Sequence, residues 1–335
     1  MTKRDLLSSA DLSPAELQEL LDQAERQRGA APGAALAGKT LGLLFFDRSL
    51  RTRVSFEVAM DQLGGHCMNI FADRELYDLE PDEQVVMDGA AEEHVKDAAR
   101  TLSRYLHALG VRQISQSGQW DVDRQDLLIR AYAQHASIPV INLETVQEHP
   151  CQAIADILTI RQNLGELRGR KITLAWANHP KPKGMGASHS ILTLASMLGM
   201  DVTVAHPLGF ELDGEVMRRA TERAGASGGG VRVVNDLAEA VRGTQVLYAR
   251  SWGSVKYWAD PEREAMVKRS LNSWQVDEAT MGRTDNALFM HPLPVRRNVA
   301  VTDDVLDGPR SVIYDQAENR VHVQKALLLR LLADA

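Results

Sequence analysis

Short apolar runs alternate along this chain with longer amphipathic segments, and that alternation narrows the open folds more than any other feature. Runs at 40–46, 66–71, 108–112 and 138–142 read as strands in the first half, and runs at 170–176, 201–205, 231–234, 245–249, 286–290 and 311–314 in the second. Helical periodicity covers 52–63, 92–106, 123–135, 151–164, 186–199, 213–225 and 320–333. Strands taken singly with helices between them predict an α/β fold of parallel sheets flanked by helices on both faces. Ser13-Pro14-Ala15-Glu16 is a local helix start: Ser13 caps, Pro14 suits the first helical position and Glu16 closes a capping box. With 335 residues, 44% of them hydrophobic, the chain is long enough for two cores. The break is expected in 143–150, where Glu144 follows a strand and His149-Pro150 opens a long helix.

A formal charge of −7 sets the average field against nucleic acid and anionic membrane, so neither is expected as a partner. Cys67 and Cys151 are too few for a disulfide framework, and no apolar run approaches the length of a membrane span. The polar start Met1-Thr2-Lys3-Arg4-Asp5 does not read as a signal peptide. A cytoplasmic, reduced protein is expected. His94 and His107 lack ligand-like spacing, and no H-x-x-x-H or C-x-x-C occurs, so no metal is expected. No G-x-G-x-x-G follows a strand, which weakens a dinucleotide reading; no cofactor is expected.

The chemistry concentrates after the first strand. Ser49-Leu50-Arg51-Thr52-Arg53 follows Leu41-Gly42-Leu43-Leu44-Phe45-Phe46, so a strand delivers hydroxyls, guanidinium groups and a helix N-terminus to one point. Unpaired N–H groups and a partial positive charge at a helix start favour an anion, and forked arginines add charge-assisted hydrogen bonds. Ser49, Arg112, Glu144, Arg250 and His291 all follow strand-like runs, and open α/β sheets bind ligands beyond the carboxyl ends of their strands. No Ser-His-Asp or Cys-His arrangement supports an acyl-enzyme.

Four further motifs join the first: Arg112 after Ala108-Leu109-Gly110-Val111, His149-Pro150-Cys151-Gln152, His291-Pro292-Leu293-Pro294-Val295-Arg296-Arg297, and Glu318-Asn319-Arg320. In order and spacing, over essentially the whole chain, they resemble the carbamoyltransferase family. The resemblance implies a two-domain α/β fold, each domain a parallel sheet flanked by helices. A carbamoyl-phosphate-binding domain would cover 1–146, joined by a C-terminal helix at 320–335, and an acylornithine-binding domain 147–319. It implies that Ser49, Leu50, Arg51, Thr52, Tyr77, Arg112, His149, Gln152, Pro292, Leu293 and Arg320 bind carbamoyl phosphate. Thr52, Arg112, His149 and Leu293 would be the catalytic group among them. Ornithine-specific members carry an S-M-G-x-P-type segment that is missing here, and H-P-L-P resembles the aspartate enzymes, which Glu144 and 176–182 do not fit.

Trp176-Ala177-Asn178-His179-Pro180-Lys181-Pro182, Tyr248-Ala249-Arg250-Ser251-Trp252-Gly253 and Val86-Met87-Asp88-Gly89 are instead similar to the branch acting on N-acylated ornithines. That likeness implies acceptor contacts from Glu92, Glu144, His179, Arg250, Leu293 and Arg296. It also implies a homotrimer whose 75–92 segment reaches the next subunit's site, and a chain knot in the second domain, where the loop 179–183 is threaded near 250–252. Glu92 favours a neutral acetyl tail over a succinyl carboxylate, because like charges repel at close range; as an alternative, Glu92 is a first-turn carboxylate of the helix at 92–106. Arg250, Tyr77, Pro292, Ala300 and Gly184 stand where the acetyl branch has lysine, tryptophan, cysteine, lysine and asparagine. A succinylornithine, ornithine or aspartate carbamoyltransferase and a non-catalytic ligand-binding relative are the alternatives.

Overall fold

The computed structural model describes residues 3–114 and 117–333. It divides into one unit of 1–117, 121–151 and 320–335, and a second of 118–120 and 152–319. Among the described residues no helix is long and apolar enough to cross a membrane.

The first unit is built on β1 (Thr40–Phe45), β2 (His66–Phe71), β5 (Ala108–Gln113) and β6 (Val140–Thr145), all parallel in the order β2-β1-β5-β6. The short strands β3 (Leu79–Glu80) and β4 (Glu93–His94) pair apart from this sheet. Helices α1 (Pro14–Gln27), α2 (Arg51–Gln62), α3 (Val95–Tyr105) and α4 (Leu127–His135) accompany it. Leu44, Leu109, Val111 and Val140 form its core with Val95, Ile129 and Tyr132 from α3 and α4. The capping box at α1 is present: Glu16 N–H donates to Ser13 Oγ at 3.2 Å and Ser13 N–H to the Glu16 carboxylate at 2.8 Å.

The second unit carries β7 (Lys171–Trp176), β8 (Asp201–Ala205), β9 (Gly230–Val234), β10 (Val246–Arg250) and β11 (Leu288–Met290), parallel in the order β11-β10-β7-β8-β9. Between β6 and β7 runs α5 (Pro150–Leu164); α6 (Gly186–Met197), α7 (Gly214–Ser227) and α8 (Pro261–Lys268) follow, and α9 (Ile313–Leu332) begins here but belongs to the first unit from Arg320 on. Helix α6 is buried along its whole length and carries no acidic, lysine or arginine residue, its polar positions being Ser188, His189, Ser190, Thr193 and Ser196.

Five elements differ from the sequence expectation. The strand expected at 138–142 runs from Val140 to Thr145, since Pro139 cannot donate to a ladder and the polar Asn142, Glu144 and Thr145 disguise its buried end. The helix expected at 92–106 starts at Val95 with His94 as its cap, because Glu93 and His94 are drawn into pairing with Leu79 and Glu80. Glu92 is therefore outside the first turn, which corrects the helix-dipole reading of that residue. The helix expected at 123–135 breaks at Asp126, whose φ is +50°. Residues 311–314 form no strand beyond an isolated bridge from Ser311 to Phe289, and the final helix begins at Ile313 instead of 320. Its early turns hide Gln316, Asn319 and Arg320, so its inward face lacks an apolar signature.

Candidate active site

In the first unit a register shift between Val111 and Arg112 sets Arg112 opposite Glu144 at the carboxyl ends of β5 and β6. A β-bulge re-aims the side chain that follows it. Arg112 Nη1 donates to Glu144 Oε2, and His149 Nε2 lies 3.5 Å from the same oxygen. Arg112 and Glu144 are each about nine-tenths hidden, and Arg112 Nε is buried without a hydrogen-bond partner among the described residues. A buried guanidinium with an unsatisfied N–H is costly unless a ligand completes it.

The start of α2 supplies the neighbouring donors. Leu50 is its N-cap and no side chain caps the first turn, so that turn presents its N–H groups to a ligand. Leu50 is exposed, Ser49 and Arg51 are half-buried, and Thr52 is buried. Arg320 Nη2 donates to Thr52 Oγ1 at 2.8 Å, which leaves the Thr52 proton to be donated elsewhere. Arg53 points into a long ion pair with Glu57 at 3.9 Å. Tyr77 and Glu92 are exposed and form no side-chain hydrogen bond with these groups. The Glu92 N–H donates to Asp78 O at 3.1 Å.

In the second unit Gln152 Nε2 donates to Asp156 at 2.7 Å, and the same buried carboxylate accepts from Tyr248 OH at 2.8 Å and Gln316 Nε2 at 2.7 Å. Gln316 Oε1 in turn accepts the His291 N–H at 3.1 Å. The chain thus links Gln152 to the loop after β11. His291 Nδ1 and Arg250 Nη1 both reach Pro292 O, at 2.8 and 3.3 Å. A carbonyl only accepts, so the His291 proton sits on Nδ1. Burial, with Arg250 alongside, pushes the His291 imidazole down to about 3.

His179 sits on the loop after β7, its Nδ1 3.0 Å from Lys181 O and 3.1 Å from Lys181 N. Burial pushes it down to about 4, helped by Lys183, Lys268 and Arg296. Both histidines are therefore neutral in a cationic surrounding, one suited to a carboxylate. Arg296 is exposed, Leu293 half-buried and Ala300 buried. Arg297, by contrast, is held by Asp303 and Asp307 at 2.7 Å each.

Asp156 and Gln316 were not singled out by sequence, although the Gln152/Asp156 pair has i,i+4 spacing within one helix. Gln316 lies beyond any local pattern.

The family models match both halves. Residues 4–162 match the carbamoyl-P binding domain of aspartate/ornithine carbamoyltransferase, and residues 172–331 match its Asp/Orn binding domain. The N-acetylornithine carbamoyltransferase of Xanthomonas campestris pv. campestris is 39% identical over 100% of this chain and 99% of its own length. The ornithine carbamoyltransferase of Gloeobacter violaceus is 40% identical over 98% of this chain and 95% of its own. A crystal structure of acetylornithine transcarbamylase complexed with acetylcitrulline superposes with a TM-score of 0.95 at 40% identity, covering 98% of this chain and 99% of that one. A variant of N-acetyl-L-ornithine transcarbamylase with proline in place of a glutamate, complexed with carbamyl phosphate and N-succinyl-L-norvaline, gives 0.94 at the same identity and coverage. Matches to both domain models and to full-length relatives agree with the strand-end arginine, histidine and glutamate groups, and this chain belongs to the aspartate/ornithine carbamoyltransferase family.

Proposed function

We propose that this chain transfers the carbamoyl group of carbamoyl phosphate to the δ-amine of N-acetyl-L-ornithine, giving N-acetyl-L-citrulline and phosphate in arginine biosynthesis. The observation that carries the transfer is the Arg112–Glu144–His149 group, with a buried Arg112 Nε left for an anion. The unit holding 1–146 and the C-terminal helix binds carbamoyl phosphate, and 147–319 bind the acylornithine. Ser49, Leu50, Arg51, Thr52, Arg112 and Arg320 hold the phosphate, while His149, Gln152, Pro292 and the Leu293 main chain address the carbamoyl group and the attacking amine.

The neutral amine adds to the carbamoyl carbon, and Thr52, Arg112 and His149 stabilise charge on its oxygen. The tetrahedral intermediate then expels phosphate, which takes the amine proton. Alignment and preorganised donors suffice, without a covalent enzyme intermediate. Arg250 pairs with the α-carboxylate, and the cations around the neutral His179 and His291 support that placement. Glu144, His179 and Arg296 hold the acylated end.

Glu92 decides the acyl group. It stands outside α3, exposed, with no side-chain partner among the described residues, as a residue lent to another subunit would. A homotrimer is supported by apolar surface on the same unit: Val54 and Val58 one turn apart on α2, Met68 on the edge strand β2, and Tyr77 at 66% exposure. The knot is supported by Gly253 N–H, which donates to Lys183 O at 2.8 Å and so brings the two segments together. The free thiols of Cys67 and Cys151 suit the cytoplasm. Ala300 and Gly184, at positions of lysine and asparagine in the acetyl branch, favour succinylornithine as the second reading.

Carbamoylation of acetylornithine, succinylornithine, ornithine and aspartate, measured in parallel with carbamoyl phosphate, tests the proposal. Acetylornithine is expected to give the highest kcat/KM. A preference for either unacylated acceptor overturns the assignment.

A further inference from the structure

Asp126 breaks three local rules at once. It is a non-glycine residue at φ +50° and ψ +44°, in the left-handed region, which glycine visits routinely and aspartate only occasionally. It occupies the N-cap of α4, yet its carboxylate makes no cap hydrogen bond to that helix, although aspartate is among the best capping residues. Desolvation pushes its carboxyl up to about 7, and the Glu148 carboxylate adds to the rise against the opposing pull of Arg130. A residue held against its own preferences points to a contact that over-determines it.

That contact is the turn after β6. Thr145 Oγ1 donates to Asp126 Oδ2 at 2.6 Å, and the Gln147 N–H donates to the same carboxylate. With its proton committed to Asp126, the buried Thr145 oxygen accepts from Glu148 N–H at 3.1 Å, while Thr145 N–H donates to Glu148 O at 2.8 Å. Asn142 Nδ2 reaches the Thr145 oxygen at 3.3 Å. The turn is braced on its other side by the N-terminal segment: Glu148 accepts from Ser8 Oγ at 2.9 Å and from Ser9 N–H at 3.1 Å. Glu144 is the residue before this turn and His149 is its last. Beyond Asp126 lies a cavity of about 230 Å³ whose lining is largely apolar, with Phe46, Leu79, Val122, Leu128 and Val146, and includes the polar Gln113 and Asp123.

We propose that Asp126 is a positioning residue for carbamoyl transfer, fixing the 145–149 turn through Thr145 and Gln147 and thereby the relative placement of Glu144 and His149. It touches no substrate. The inference rests on the carbamoyl-transfer reading for the meaning of His149, which addresses the carbamoyl group, and of Glu144, which holds the acylated end; of the phosphate holders, those at the start of α2 make no contact with Asp126 in the described structure, while Arg112 is bonded to Glu144.

The test compares wild type, Asp126→Ala and Asp126→Asn at pH 8 for kcat, for the affinities of carbamoyl phosphate and of inorganic phosphate, and for thermal midpoint. In Asp126→Ala, kcat falls by about 10²-fold, the scale of a misplacement near 1 Å, and carbamoyl phosphate binding weakens by about tenfold while inorganic phosphate binding stays within about twofold. Asp126→Asn keeps an acceptor for the Thr145 hydroxyl and recovers most of the loss. Equal weakening of both anions in a folded Asp126→Ala protein, or kcat unchanged within about twofold, overturns the inference. A wild-type protein that carbamoylates no acceptor overturns the functional reading instead, and the ratio of the two anion affinities still decides the role of Asp126. Should Asp126→Ala fail to fold, Thr145→Val supplies the same comparison, with the same two anions and the same deciding ratio.

Discussion

Arg112 and Glu144 meet at the strand ends of the first unit, each about nine-tenths hidden; in the second unit Lys268 and Glu264 pair at 2.5 Å one turn apart on α8 and are almost completely hidden. Burying opposite charges seldom stabilises a fold, because desolvation offsets their attraction, so each pair needs another reason to persist. Lys268 Nζ also donates to Lys181 O at 3.2 Å and faces the rings of Trp176 and Phe210 at 5.9 and 5.6 Å, while Glu264 Oε2 accepts Ser254 N–H at 3.1 Å. That pair ties the 178–183 loop and the 251–254 segment to one helix. Arg112 keeps a buried N–H with no acceptor among the described residues. Glu264 Oε1, although beside Lys268 Nζ, likewise lacks a hydrogen-bond partner among the described residues, so the difference lies in the loops that the Lys268 pair holds and in the strand-end position of the Arg112 pair, where an anion is proposed to bind.

Arg112→Met is the sharpest way to break that distinction. Removing a preorganised donor from an oxyanion-type site costs about 10²–10³-fold in kcat, and Arg112 is proposed to hold the phosphate as well, so kcat/KM is expected to fall by at least about 10³-fold. Steady-state kinetics with the preferred acceptor measure it. A loss under about tenfold would mean that the Arg112 pair is as structural as the Lys268 pair.

Lys268→Met should do the reverse. It strands Glu264 in the interior, and breaking a buried pair from one side costs about 3 kcal/mol or more, read as a lower denaturation midpoint. Replacing both residues, Lys268→Met with Glu264→Leu, should restore much of that stability. A single variant with undiminished stability would show that the pair does not hold the loops.

The two pairs were not equally legible in the sequence. Arg112 and Glu144 were singled out because each follows an apolar strand-like run and the family resemblance gives each a role, although their contact with each other was not foreseen; the parallel strands themselves follow from such runs. Lys268 and Glu264 were missed because an i,i+4 Glu–Lys pair on a helix reads as an exposed surface pair, and only tertiary packing of Trp176 and Phe210 over it makes it buried. Asp126 was unreadable for a similar reason: its backbone conformation is set by Thr145, nineteen residues away in the chain. The start of α9 was lost because Gln316, Asn319 and Arg320 face inward, bonding to Asp156, Thr159 and Thr52 respectively, instead of forming an apolar stripe.

Glu92 sharpens the comparison from outside either pair, since it is a carboxylate without a cation beside it among the described residues. Glu92→Pro removes charge from the acyl end and leaves the phosphate donors untouched. Relative kcat/KM should shift from acetylornithine toward succinylornithine by about tenfold, roughly 1.4 kcal/mol of differential transition-state binding. A wild-type preference for succinylornithine would make Glu92 irrelevant to acyl choice and leave carbamoyl transfer standing.

The smallest effect expected concerns His291, whose cationic neighbour Arg250 contrasts with the carboxylate beside His149 in the first unit. An unfolded histidine takes up its proton near pH 6.5, whereas burial and Arg250 hold His291 down to about 3. Between those values the unfolded chain binds more protons than the folded one, so this contribution is fully present above pH 6.5 and is lost as pH falls. At pH 5.5 the loss relative to pH 7.5 is about 1 kcal/mol. His291→Asn keeps a donor toward Pro292 O without titrating, and its midpoint should fall less than that of wild type over the same interval. Parallel acid limbs for the two proteins in thermal melts would show that His291 takes up its proton at the same pH folded as unfolded, and that the second unit's site is less cationic than Arg250, Arg296 and Lys183 make it.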